Sequence, residues 1–331
     1  MKEVLNRLIN HETISKEEAK MALVNISVGA YHETQIAAFL TVYMMRSITI
    51  EELEGFREAL QELCLSVDLE QYDPIDLCGT GGDGKDTFNI STLASFVTAG
   101  AGVNVAKHGN YGVSSGCGSS NVMEFLGIKF SSDKDFLEKS MEKAGICFLH
   151  AALFHPAMKK VAPVRKSLGV KTFFNIIGPM VNPSFPKNQV VGVFSLELAR
   201  IYAYLYQKTD INYTILHALD GYDEISLTGD TRFISNNSEG ILKPEDLGLK
   251  TIKAEEISGG NTVESAAKVF MNVLNGKGSE AQNNVVCANA GIAIATSRNL
   301  DHKTGFELAK DSLLSGKALH AFTSLQNLSK N

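Results

Sequence analysis

A chain of 331 residues that is 44% hydrophobic and 21% charged can bury a large core, and its length suits about two domains. A formal charge of −6 and no block of clustered Lys or Arg argue against a nucleic-acid partner, because binding to a phosphate backbone relies on clustered cations. Any phosphate ligand is expected to be small.

Residues 1–66 carry apolar side chains three and four apart (Val4, Leu5, Leu8, Ile9; then Ile36, Phe39, Leu40, Tyr43, Met44), the spacing of amphipathic helices. Ser15 with Glu18 and Thr49 with Glu52 read as capping boxes, in which hydroxyl and carboxylate satisfy the free amides of a first helical turn. Such a bundle has apolar surface to spare and suits packing on something else, a second copy of itself included. The opening residues are broken by charges and lack the apolar run of a signal peptide. No stretch approaches the ~20 apolar residues of a membrane span, so no membrane partner and a cytoplasmic location are expected. Cys64, Cys78, Cys117, Cys147 and Cys287 show no CxxC spacing, which points to reduced thiols rather than zinc ligands or disulfides.

After Tyr72-Asp73-Pro74 short β-branched runs alternate with helical segments, the pattern of a parallel sheet covered by helices. The expected strands are 75–78, 103–107, 146–150, 190–194 and 213–218, with helices beginning near Ser91, Ser119, Asp133, Pro156 and Leu196. From about Thr262 the pattern is helical again, at 264–274, 285–296 and 304–316. The expected fold is therefore α/β, with a mostly parallel central sheet flanked by helices and a small N-terminal helical domain. The boundaries are 1–68 for the helical domain, joined by part of 156–185, and 73–331 for the α/β domain.

The segment Gly79-Thr80-Gly81-Gly82-Asp83-Gly84-Lys85-Asp86 follows a predicted strand and precedes a helix, where backbone amides can hold a phosphate. Gly79, Gly81 and Gly84 fit a dinucleotide fingerprint, but no acid lies about 20 positions on to take the ribose hydroxyls. A Walker A loop fails because Asp86 stands where Ser or Thr should follow the lysine. No Asp or Glu occurs from Thr87 to Met123, so this stretch would welcome anions. It holds Asn89-Ile90-Ser91-Thr92 at the start of an apolar helix, Lys107-His108-Gly109-Asn110 at a strand end, and the turn 114–119 ahead of another helix. Three such turns suggest one ligand with two separated phosphate groups.

Asp223 and Glu224 follow the predicted strand 213–218 and the turn Asp220-Gly221-Tyr222. Beside a diphosphate, a carboxylate pair suits magnesium, which takes one or two carboxylates plus phosphate oxygens and waters, and the Ser91 hydroxyl could add another oxygen. Arg165, in HPAMKKVAPVR at 155–165, offers a planar fork for a carboxylate, although it could equally cap or pair on a helix surface.

In order and spacing, GTGGD at 79–83, NIST at 89–92, KHGN at 107–110, the serine-glycine turn ending at Ser119, HPAMKKVAPVR at 155–165, NIIGPMVNP at 175–183 and DGYDEIS at 220–226 resemble the anthranilate phosphoribosyltransferases over nearly the whole chain. The resemblance implies the fold shared with nucleoside phosphorylases, a cleft between the two domains and a homodimer formed through the helical parts. It implies transfer of the phosphoribosyl group of phosphoribosyl pyrophosphate to the amine of anthranilate, in tryptophan biosynthesis, with magnesium as cofactor. Carried onto this sequence, Gly79, Gly82, Asp83, Thr87, Asn89, Ser91, Thr92, Lys107, Ser115 and Ser119 would hold the sugar donor, and Ser91, Asp223 and Glu224 the metal. Gly79, His108, Asn110, His155, Arg165 and Gly178 would line the acceptor site, with catalysis resting on Lys107, Arg165 and Asp83. Two positions depart from the family pattern, Tyr111 replacing an arginine and Asn121 an acid, as though an ion pair had been exchanged for a neutral one. The alternatives are a pyrimidine nucleoside phosphorylase and a non-catalytic relative that binds nucleic acid; the KHGN and NIIGPMVNP motifs favour the transferase.

Overall fold

A computed structural model of the chain describes residues 1–112, 118–260 and 262–330. The fold divides into two compact units, Met1–Val67 with Ala151–Phe185, and Asp68–His150 with Pro186–Asn331. No helix among the described residues is long and apolar enough to cross a membrane.

The first unit is helical. Helices Lys2–Ile9, Lys16–Ser27, Glu33–Met45 and Ile50–Glu62 are joined by Ala151–Phe154, Ala162–Leu168 and Phe173–Ile177 and by two 3-10 turns, Pro156–Lys160 and Gly178–Val181. Both expected capping boxes form, and a third, His32 with Gln35, starts the third helix without the usual hydroxyl. The second and fourth helices cross closely, because a side chain at Gly55 would run into the Lys16 carbonyl. Phe173 ties the later segment to the bundle: its ring stacks on Phe56 at 4.4 Å and meets Phe39 and Tyr43 edge-on.

The second unit is a seven-stranded sheet in the order β3-β2-β1-β4-β5-β6-β7. Its strands are β1 (Ile75–Gly79), β2 (Val105–Gly109), β3 (Ile146–His150), β4 (Asn188–Gly192), β5 (Asn212–Ala218), β6 (Thr231–Ser235) and β7 (Glu239–Leu242). The first five run parallel, and β6 and β7 close the edge as an antiparallel hairpin. From β1 the chain builds outward through β2 and β3, then returns to place β4 on the other side of β1. That reversal opens a crevice at the carboxyl ends of β1 and β4, where ligands of such sheets bind. The strand expected at 103–107 begins two residues later and the one expected at 190–194 two residues earlier. The β6–β7 hairpin and the last helix, Lys317–Ser329, were not anticipated.

Helix Glu280–Arg298 lies against β4, β5 and the helix Ile90–Gly100, and its run from Val285 to Ala295 is buried throughout. Its small residues permit this. A β-carbon at Gly291 would sit 2.7 Å from the Phe306 Cα, so the helix His302–Leu314 crosses at backbone distance.

Candidate active site

At the carboxyl end of β1, Gly79 gives way to a loop in which Gly81, Gly82 and Gly84 adopt φ of 62°, 85° and 73°, the left-handed region open to glycine at little cost. The loop is moored to the segment after β5. There the turn at Asp220-Gly221 (φ 100° at Gly221) folds the chain back, and the Tyr222 carbonyl accepts from the Ala218 amide at 3.0 Å. Asp223 is thereby brought over the ends of β1 and β4, against paired strand-end glycines: a side chain at Gly79 would strike its carboxylate, and one at Gly192 its backbone carbonyl. The Gly81 amide donates to Asp223 Oδ2 at 2.7 Å, and the Thr87 hydroxyl donates to Glu224 Oε1 at 2.8 Å. The Lys85 ammonium stands 4.6 Å from the centre of the Tyr222 ring, a further cation–π tie between the segments.

Burial, then the negative charge of Asp83, raises the Asp223 carboxyl above the usual range, and burial with the charge of Asp223 raises Glu224 well above it. Among the described residues neither carboxylate has an ion-pair partner. Two adjacent hard oxygen donors, Asp223 disfavoured as an anion by burial and the charge of Asp83 and Glu224 by burial and the charge of Asp223, fit a magnesium ion whose remaining ligands come from phosphate and water. No group of three or more His, Cys, Asp or Glu among the described residues could by itself hold a metal.

The segment after the glycine loop is supported from a distant part of the chain. Thr87 bridges Ser258, the Phe88 amide donates to the Ile257 carbonyl at 3.2 Å, and the Gly259 amide donates to the Asp86 carbonyl at 2.8 Å. A β-carbon at Gly259 would come within 2.5 Å of the Thr87 carbonyl, so only glycine passes there. Asn89 occupies the N-cap position of helix Ile90–Gly100, and Ser91, which is partly exposed, lies in its first turn. Thr92 faces inward at 1% exposure, with no hydrogen-bond partner for its hydroxyl among the described residues. The helix has no acid in its first turn to occupy the free amides, which leaves them for an anion.

Lys107 sits at the end of β2 with 2% exposure, its ammonium donating to the Leu77 carbonyl at 2.6 Å. Burial lowers its pKa, opposed by the charges of Asp76, Cys78 and Glu224. The cation therefore lies beneath the crevice, within the electrostatic reach of Glu224. Asp76, buried in β1, accepts the His108 amide at 3.1 Å and fixes the backbone of the KHGN segment, while Asn110 is exposed. Ser119 starts its helix beside Gly109, where a β-carbon would lie 2.8 Å from the Ser119 hydroxyl. Ser115 and Cys117 lie outside the described residues. Tyr111 and Asn121 find separate partners: the Tyr111 hydroxyl donates to Glu124 at 3.3 Å, and Asn121 Oδ1 accepts the Gly112 and Gly118 amides, each at 3.1 Å.

The remaining expected residues belong to the helical unit. Arg165 is half-buried, donates to Asn175 Oδ1 at 3.2 Å and lies 5.3 Å from the Phe174 ring centre. Burial lowers its pKa, and no carboxylate pairs with it among the described residues. His155 is buried, and loss of solvation pushes it down to about 4. Gly178 closes the helix Phe173–Ile177, with open space where a β-carbon would stand. The α/β unit thus gathers Gly79, Gly82, Asp83, Thr87, Asp223 and Glu224 around one loop, with Ser91, Thr92 and Lys107 on the adjoining helix start and strand end. Gly192, Gly259 and Asp76, which hold these residues in place, were not singled out in the sequence. The Gly259-Gly260 pair and the glycine ending the run Val190-Val191-Gly192 were the available signals.

A model of a glycosyl transferase family, α/β domain, matches residues 71–319, and one of a glycosyl transferase family, helical bundle domain, matches residues 2–64. Over 331 residues, all of both chains, the sequence is 73% identical to an anthranilate phosphoribosyltransferase of Christiangramia forsetii. The chain belongs to the anthranilate phosphoribosyltransferase family. Solved structures of that family agree. The enzyme of Thermus thermophilus superposes with a TM-score of 0.91 at 32% identity, covering 99% of each chain. The Saccharomyces cerevisiae enzyme in complex with PRPP and Mg superposes with a TM-score of 0.90 at 25% identity, covering 99% of this chain and 97% of that one. Membership of the anthranilate phosphoribosyltransferase family makes the chain a pentosyltransferase-type enzyme with the mixed, mostly parallel sheet and N-terminal helical part described above.

Proposed function

We propose that this chain transfers the phosphoribosyl group of phosphoribosyl pyrophosphate to the amine of anthranilate, and that the loop moored on Asp223 at the reversal of the sheet is the cradle for the donor. The observation that carries this reading is the Gly81 amide bonded to Asp223 Oδ2, which joins a glycine loop suited to anions to a carboxylate pair with no ion-pair partner among the described residues. The backbone amides of the glycine loop and of helix Ile90–Gly100 bind the donor's phosphates, with Gly79, Gly82, Asp83, Thr87, Asn89, Ser91, Thr92, Ser115 and Ser119 around them. Thr92 contributes by its buried position under the helix start. Asp223 and Glu224, with Ser91, would hold magnesium, which when bound supplies positive charge to the departing pyrophosphate.

Departure of that leaving group builds positive charge on the ribose ring, as in other glycosyl transfers. Lys107 raises the potential beneath the crevice without leaving the core, and preorganised amides need no rearrangement as charge moves to the leaving group. The aromatic amine is neutral near pH 7, so no strong base is required to generate the nucleophile. Orientation matters more. Arg165 meets the anthranilate carboxylate, a role suited to a half-buried guanidinium with no ion-paired carboxylate among the described residues, and Gly79, His108, Asn110, His155 and Gly178 are the further residues assigned to the acceptor. The protein acts in the cytosol as a homodimer through its helical unit, a reading supported by the exposed Ile9, Met44, Met45 and Leu65 of that unit.

Loss of anthranilate fluorescence on adding phosphoribosyl pyrophosphate, with and without magnesium, tests the reaction. Rapid magnesium-dependent loss is expected. Phosphorolysis of thymidine in its place, or tight uptake of single-stranded DNA at physiological salt, would replace the reading with one of its rivals.

A further inference from the structure

The carboxylate pair stands on a stretch that belongs to no helix or strand, because β5 ends at Ala218 and β6 begins at Thr231. From the loop side it is held by the Gly81 amide and the Thr87 hydroxyl. From the opposite side one side chain takes both main-chain groups of the next residue. Asn289, buried on helix Glu280–Arg298, accepts the Ile225 amide on Oδ1 at 3.0 Å and donates through Nδ2 to the Ile225 carbonyl at 2.8 Å. The same Nδ2 donates to the Val285 carbonyl one turn back at 2.9 Å, which fixes the orientation of the carboxamide. Ile225 and Ser226 are themselves buried. The side chain thus serves Ile225 as a neighbouring strand would, across 64 residues of sequence.

We infer that Asn289 is a positioning residue for the cation-holding carboxylates. By clamping Ile225 to a rigid helix of the core, it sets the direction in which Glu224 and Asp223 leave the backbone. The inference rests on the reading of Asp223 and Glu224 as magnesium ligands. Those two charges oppose each other, so the segment carrying them gains from an anchor that does not depend on the ligand. A buried carboxamide with all three bonds made is such an anchor, and removing one partner leaves a buried polar group unsatisfied.

The test is titration of the full-length protein with Mn2+ in the presence of phosphoribosyl pyrophosphate, followed by electron paramagnetic resonance. Asn289→Asp keeps the acceptor for the Ile225 amide but sets an oxygen against two carbonyls; Asn289→Ser removes both ties to Ile225 at small volume. With helical content unchanged by circular dichroism, half-saturation by Mn2+ should rise about 10- to 100-fold, the usual effect of losing a residue that orients metal ligands. The KM for anthranilate should stay as it was. Mn2+ affinity unchanged in folded Asn289 variants, together with loss of Mn2+ in Asp223→Asn/Glu224→Gln, would overturn the role of Asn289. Retained Mn2+ in the carboxylate double variant would remove the reading beneath it. Should neither Asn289 variant fold, amide exchange on the unaltered protein decides: Mg2+ with donor should slow the Ile225 amide further, and an unaffected rate overturns the inference.

Discussion

Arg165 separates the acceptor from the donor most cleanly. Its guanidinium is already turned into the helical unit by Asn175 and Phe174, so truncation removes a prepared fork rather than a floppy surface charge. Arg165→Ala should raise the KM for anthranilate by about tenfold or more, given roughly 1.5–3 kcal/mol for a hydrogen bond to a charged group. The KM for the donor should stay nearly constant, and steady-state kinetics with each substrate varied in turn will check this. Lys107 is a different case because it is buried. Lys107→Met keeps most of the stem's volume and removes the charge, so kcat should fall on the order of 100-fold while the melting temperature changes little. His155 gives a prediction in pH. Its folded pKa of about 4 lies below the ~6.5 of an unfolded histidine, so the unfolded chain binds more protons between those values. Stability is therefore full above pH 6.5 and declines towards pH 4, by up to about 3 kcal/mol. Chemical denaturation across that window should show a smaller slope for His155→Gln than for the unaltered chain.

Among the elements, helices Glu280–Arg298 and His302–Leu314 cross at backbone distance at Gly291. Gly291→Ala should cost about 1–3 kcal/mol, since its methyl meets backbone that cannot swing aside, and the urea midpoint will register it. Gly178→Ala, facing open space at φ −48°, should leave that midpoint unchanged. What could be read from sequence at this scale follows the strength of local signals. The capping boxes at Ser15 and Thr49 pair two polar side chains at fixed spacing, and both form. The parallel strands are buried on both faces and show as apolar runs, so their existence was legible while their ends shifted by two residues at β2 and β4. The β6–β7 hairpin escaped because its strands are short and half-exposed, with Gly240 inside β7 and neither alternation nor a glycine turn between them. Its turn depends on Asn236, whose Oδ1 accepts the Tyr213 amide at 2.7 Å, a contact no local pattern reveals.

For the whole molecule, the α/β architecture was legible because strand and helix patterns alternate from β1 to β5, and the carboxy-terminal helices only extend the cover. The part of the candidate site that could be read consists of turns with unusual composition: the glycine loop, the acid-free stretch and the adjacent acids. The supports could not. Gly192, Gly259 and Asn289 act across long sequence separations, and each is an ordinary residue until its neighbour is known. Donor binding depends on the glycine loop and the Asp223–Glu224 pair forming one receptor for a doubly phosphorylated sugar and a divalent ion. Calorimetric titration of the full chain with phosphoribosyl pyrophosphate, with and without magnesium, tests it directly, comparing the unaltered protein with Asp223→Asn/Glu224→Gln. Magnesium-dependent binding is expected in the first and loss of that dependence in the second; equal affinity in both, at the same response to magnesium, would rule out a single receptor.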